Sequence, residues 1–72
     1  MFEIISTTIQ VNQPLENSHL YLFSVTGELV LEQGLIKGVN QINVSTLPTG
    51  LYTYRIVGKD SRVLIEDKVI KS

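Results

Sequence analysis

The sequence predicts a small all-β fold, an antiparallel β-sandwich of about six to seven strands. Three observations lead there. Short runs rich in Val, Ile, Thr, Tyr and Phe alternate apolar with polar residues. The runs recur at roughly ten-residue spacing and are separated by turns that contain Gly or Pro. No stretch sustains a helical repeat. At 72 residues with 43% apolar content, the chain is one domain near the small end of what folds alone, and too apolar for a disordered tail.

The elements follow in order. Residues 7–11 (TTIQV) place Thr7, Ile9 and Val11 on one side of a strand, and residues 12–18 (NQPLENS) read as a loop. Residues 19–25 (HLYLFSV) are apolar on both faces, Leu20 and Leu22 on one and Tyr21, Phe23 and Val25 on the other. That pattern predicts a central strand covered on both sides. Thr26 and Gly27 signal a tight turn, with Gly27 supplying a positive φ, into a strand at 28–32 (ELVLE). Gly34 and Gly38 bracket a short connection, LIK. In residues 39–44 (VNQINV), Ile42 and Val44 alternate against polar residues.

Residues 45–50 (STLPTG) form a loop punctuated by Pro48 and Gly50. Residues 51–57 (LYTYRIV) then point Tyr52, Tyr54 and Ile56 one way and Leu51, Thr53, Arg55 and Val57 the other. After a turn at 58–61 (GKDS), residues 62–70 (RVLIEDKVI) make the last strand. Its alternation falters at Glu66 and Asp67, which predicts a bulge or a partly exposed edge there.

Composition excludes several functions. Six Lys and Arg against seven Asp and Glu give a net charge of -1, with no basic surplus to meet nucleic-acid phosphates. Cys is absent, so neither a disulfide framework nor a thiolate metal site can form. The single His, His19, cannot make an imidazole cluster within one chain. No apolar run is long enough for a membrane-spanning helix. The start, MFEIISTTIQV, lacks the basic head and long apolar core of a secretory signal peptide. If the protein works outside the cytoplasm, its export signal lies upstream in a longer polypeptide.

Nothing reads as catalytic, and no cofactor or metal is expected. Glu66 and Asp67 are adjacent, so on a strand they face opposite ways and cannot form an acid–base pair. No motif ties His19 to a nucleophilic Ser or Thr. No Gly-rich segment opens a helix to cradle phosphate. Tyr21, Tyr52 and Tyr54 could stack on a sugar or base, but alternating Tyr52 and Tyr54 is also what a half-buried strand needs.

At STLPTGLYTYRI the pattern becomes recognisable. Residues 20–72 resemble the C-terminal sorting domain, type A, of the type IX secretion system, found at the ends of secreted cell-surface proteins of Bacteroidetes. The matching features occur in order. A strand runs into a Gly turn (YLFSVTGELV), and a Gly-containing loop follows (LEQGLIKG). A strand then enters a Leu-Pro-x-Gly-x-Tyr loop (NVSTLPTGLY), and the final strand carries a Lys and ends KVIKS. Upstream, Phe2 and Thr7-Thr8-Ile9 match the later part of the family's opening motif, and Met1 stands where its last Pro would be. The chain 1–72 is therefore read as a single sorting domain, excised from a longer secreted protein and lacking the first motif residues.

The resemblance implies recognition by the type IX translocon through Gly27, Leu47, Pro48, Gly50, Tyr52, Lys68, Val69, Ile70 and Lys71. It implies an upstream cargo domain carried through the periplasm and across the outer membrane, to be secreted or displayed at the cell surface. It also implies a sortase that removes the domain. Most motif residues have a folding role as well. Gly50 suits a backbone conformation closed to residues with Cβ, Pro48 stiffens its loop, and Tyr52 caps the core with its hydroxyl near water or a backbone partner. Lys68 and Lys71 are least needed for a core and are the expected docking contacts. An incomplete first strand would leave an edge open to an edge-strand dimer. Two other readings share the immunoglobulin-like sandwich: a structural or adhesive stalk module, and a carbohydrate-binding sandwich, which needs Tyr52 and Tyr54 facing solvent.

Overall fold

The structure, a computed structural model, describes residues 3–5, 7–14 and 16–72. It contains seven strands: β1 Glu3–Ile5, β2 Thr8–Gln13, β3 Ser18–Ser24, β4 Leu29–Leu35, β5 Gly38–Asn43, β6 Gly50–Val57 and β7 Val63–Lys71. They form a five-stranded sheet in the order β1-β7-β6-β3-β4 and a two-stranded sheet, β2-β5. All pairs are antiparallel except β1 with β7, which is parallel. With the strands from β2 onward lettered B, C, C′, E, F and G, one sheet is B-E and the other carries G-F-C-C′. This is the immunoglobulin-like division of strands.

The core lies between the sheets. Ile9 from β2 and Ile42 from β5, with Val44 just beyond it, meet Leu20 and Leu22 of β3, Leu35 of β4, Tyr52 and Ile56 of β6 and Val69 of β7. Each strand inserts alternate residues, which is why the apolar pattern has period two. Two buried polar groups organise the connections. Gln13 Nε2 donates to Ser18 Oγ at 2.8 Å, spanning the β2–β3 loop. Asn40 points inward in phase with Ile42 and Val44. Its Oδ1 accepts from Ile36 N (2.9 Å), and its Nδ2 reaches the carbonyls of Ile36 (2.9 Å), Gly38 (3.0 Å) and Val11 (3.4 Å). One side chain thus satisfies the backbone of the β4–β5 turn.

Three expectations need correction. β3 is central, paired with β4 and β6, but it is covered on one face only. Leu20 and Leu22 are fully buried, whereas His19 is exposed, Tyr21 and Phe23 are half-buried, and Val25 lies beyond the strand in the turn. The second sheet has two strands and packs on one side, so the other face is covered only by its own neighbours. There, His19 and Tyr21 stack at 6.2 Å and the Arg55 guanidinium sits 5.3 Å from the Phe23 ring centre. The stretch LIK is not all connection, because Leu35 belongs to β4 and is buried. The irregularity in β7 falls at Leu64, the extra residue between the partners of Ile56 and Val57, and the register from Ile65 to Lys71 is regular. The alternation falters because Val63, Leu64 and Ile65 are 50%, 36% and 48% exposed, at an end of the strand the second sheet does not cover. A bulge in β4 at Val30 was not foreseen.

Leu22 is fully buried on β3, an interior strand of the larger sheet flanked by β6 and β4. Leu22→Ala should lower the unfolding free energy by about 3 kcal/mol, read from the midpoint of urea denaturation. A loss under about 1 kcal/mol would contradict this core.

Candidate recognition surface

The Leu-Pro-x-Gly-x-Tyr segment is where the chain crosses from one sheet to the other. β5 ends in the two-stranded sheet and β6 begins in the five-stranded one. Between them Val44 N donates to Thr7 O (2.8 Å) and Leu47 N to Val44 O (3.0 Å), closing a turn that sets Leu47 against the core. Gly50 opens β6 with φ +156°, a conformation that side-chain-bearing residues rarely adopt. Tyr52 is 6% exposed, and its hydroxyl donates back to the Pro48 carbonyl at 2.6 Å. A Tyr near the start of strand F that bonds the backbone just upstream is the tyrosine corner of immunoglobulin-like sandwiches. The motif therefore serves the fold, and of the two partners expected for the Tyr52 hydroxyl, water or backbone, it takes the backbone.

Gly27 plays a similar part at the other Gly turn. Its φ is +87°, its N donates to Ser24 O at 2.9 Å, and Ser24 N donates to Glu28 O at 2.8 Å. These bonds reverse the chain between β3 and β4.

The chain end is an ordered strand. β7 pairs with β6 over Val63–Lys71 and with β1 over Val69–Lys71. Its residues alternate between faces, and the predicted recognition residues divide accordingly. Val69 is fully buried, opposite Tyr52. Lys71 is also on the inner face and only 8% exposed, contrary to the expectation of a docking lysine. Its cross-strand partner is Gly50, which has no side chain to compete for that space, and Lys71 Nζ donates to Ser72 O at 3.0 Å. A lysine stem can lie along apolar surface while its head stays at the rim.

Lys68 and Ile70 lie on the outer face, opposite Thr53 and Leu51. Lys68 is exposed, Ile70 half-buried and Leu51 37% exposed. Next along that face, Arg55 Nε and its NH2 nitrogen meet one Glu66 oxygen at 2.8 and 2.7 Å. Both side chains are more than a third exposed, so the pair orders the surface more than it stabilises the fold. The nine sequence-predicted residues thus form no single site. Gly27, Leu47, Pro48, Gly50, Tyr52, Val69 and the stem of Lys71 shape the turns and core of the sandwich, and of the four on β7 only Lys68 and Ile70 lie on the outer face. Leu51 and Thr53, which flank them, are missing from that set. The alternation of 51–57 already placed them on the face opposite Tyr52, and the partner strand of that face came only with the fold.

The same geometry counts against the sugar-platform reading, which needs Tyr52 and Tyr54 facing solvent. Tyr52 is buried and Tyr54 packs against the core, so there is no solvent-facing aromatic row on β6. Among the described residues, no three His, Asp or Glu side chains are grouped so as to hold a metal ion, and no helix is long and apolar enough to cross a membrane.

Fold and corner define the class: a small immunoglobulin-like β-sandwich whose carboxyl end is its penultimate edge strand. The family model of the secretion system C-terminal sorting domain matches residues 5–72, and the chain belongs to that family, the sorting domains of type IX secretion. It is a family of secretion signals and not of enzymes. No curated protein and no solved structure gives a significant match.

Tyr52→Phe keeps the ring and removes the bond to Pro48. It should cost about 1 kcal/mol of stability in urea denaturation. Tyr52→Ala should cost about 3–5 kcal/mol, enough to leave so small a domain largely unfolded. Equal stability of the parent and the Phe variant would mean that the corner bond is not formed in solution.

Proposed function

We propose that this domain is the signal by which an upstream cargo is handed to the type IX machinery and carried across the outer membrane. The family match over residues 5–72 supports this reading. The full-length protein first crosses the inner membrane by its own signal peptide. The folded domain then presents the carboxyl half of β7 to the translocon. The contact residues are Lys68 and Ile70 on the outer face, with Leu51 and Thr53 beside them. Gly27, Leu47, Pro48, Gly50, Tyr52, Val69 and Lys71 act by holding that strand in place. A sortase then cuts upstream of the sandwich, and the cargo is released or anchored at the surface. The domain is the substrate of these steps and performs no chemistry of its own.

The test is a secretion assay. A signal peptide and a fluorescent reporter are fused ahead of the domain and expressed in a bacterium with a working type IX system. The reporter should reach the surface or medium, and should be retained in the periplasm when residues 66–72 are removed or the system is disabled. Retention of the intact, folded domain in the periplasm would overturn the reading in favour of a structural stalk module. Replacing Lys68 by Glu together with Ile70→Ser should cut secretion about tenfold, the effect of roughly 1.4 kcal/mol of lost binding, while the melting temperature stays within a few degrees of the parent.

A further inference from the structure

β7 is flanked unequally. On one side β6 pairs with its whole length, Val63–Lys71. On the other side β1 covers only Val69, Ile70 and Lys71. Among the described residues, no strand lies along residues 63–66 on the side away from β6. That stretch also carries Val63, Leu64 and Ile65, each between a third and a half exposed. An unpaired edge with exposed aliphatic side chains is a template for an added strand: the backbone groups supply affinity and the side chains supply pockets.

The other side of the larger sheet, β4, is open as well. It is the edge farthest from β7, and it is bounded by Glu28 and interrupted by Glu32. The β7 edge is the one continuous with an existing pairing at the chain end, and that pairing is short. Three residues of parallel ladder hold less well than an equal antiparallel stretch.

We propose that the type IX machinery reads β7 by strand exchange. An extended segment of the translocon pairs first with the open residues 63–66, then displaces β1 and continues along Val69–Lys71. This deepens the sorting reading above and rests on it. The incoming strand recovers the hydrogen bonds that β1 gave up and adds those of 63–66, so exchange has a net gain. Pairing can begin before β1 leaves, so no fully exposed intermediate is needed. The bulge at Leu64 twists the edge, which disfavours a second copy of the domain and selects a partner shaped to it. Lys68 and Ile70 stay on the outer face throughout.

The chain has no Cys, so a single disulfide can be introduced without competition. Ile4 and Ile70 are Cα partners across β1 and β7, and neighbouring strands lie about 4.8 Å apart, within disulfide reach. In the oxidising periplasm, and with a cysteine-free reporter, Ile4→Cys alone should secrete like the parent, Ile70→Cys alone sets the baseline because Ile70 is a proposed contact, and the double variant Ile4→Cys, Ile70→Cys should fall about tenfold or more below that baseline. A second variant replaces residues 3–5 by Gly-Gly-Ser. It should be secreted within about twofold of the parent, the scale of less than 0.5 kcal/mol. Secretion of the locked domain at the level of Ile70→Cys alone would overturn the proposal. So would loss of secretion by the Gly-Gly-Ser variant when urea denaturation shows it folded. If the locked variant does not fold, the second variant decides alone. A dimer of the purified domain that Leu64→Lys dissolves in size-exclusion chromatography would assign the edge to a second copy instead. If the parent reporter itself never leaves the periplasm, the sorting reading falls, and the exchange with it.

Discussion

The seating of Tyr52, its ring in the core and its hydroxyl on the Pro48 carbonyl, is the constraint on which the rest of the sandwich depends. A two-sheet fold needs the chain to leave one sheet and enter the other at a fixed place and angle. Here that passage is the six residues between β5 and β6. Gly50 allows the turn, Pro48 stiffens it, and the phenol ties the far end of the loop to the first turn of the next strand. The ring is also core, so the same residue fixes the crossover and fills the space beneath it. Register follows from that placement. Once Tyr52 is seated, Tyr54 and Ile56 point inward, and β3 and β7 align against β6.

The second constraint is the inequality of the sheets. Two strands cannot cover five. The core therefore sits over the middle of the larger sheet, and β7 leaves its first residues half in water. Among the described residues the outer face carries no second layer, so its residues stabilise one another laterally, through the Arg55–Glu66 pair, the Arg55–Phe23 contact and the His19–Tyr21 stack. These are small contributions near solvent. The stability of the domain lies inside and its available surface outside, on the same strand. The proposed recognition through β7 would thus be sensitive to folding without requiring that buried residues touch a partner.

Much of the fold is legible in the amino-acid pattern. The six longer strands appear as period-two runs, and the turns at Gly27 and at Pro48–Gly50 appear as residues with restricted or unusual backbone. β1 does not, because three residues give no period to read. Asn40 was visible in principle: it is in phase with Ile42 and Val44, and a polar residue on an apolar phase is a buried hydrogen-bonding group by position. Lys71 was misleading for the same reason, since charge argues for water while its phase argues for the core. Its stem is inside because the facing residue is Gly50. Of the candidate site, the motif residues were identified as a set and most were read as builders with Lys68 and Lys71 as contacts, but that Lys71 lies on the inner face was not foreseen.

The sequence by itself determined the strand class, the order of the elements, the corner and the family, because alternation, turn chemistry and the Leu-Pro-x-Gly-x-Tyr spacing are local properties of neighbouring residues. Only the tertiary structure decided which face of β3 became core, since both faces are equally apolar along the chain. It alone decided that β1 runs parallel to β7 and covers just its last three residues. Those choices depend on which strands become neighbours across long stretches of chain, and sheet partnership is set by the packing of all the strands together and not by any one of them.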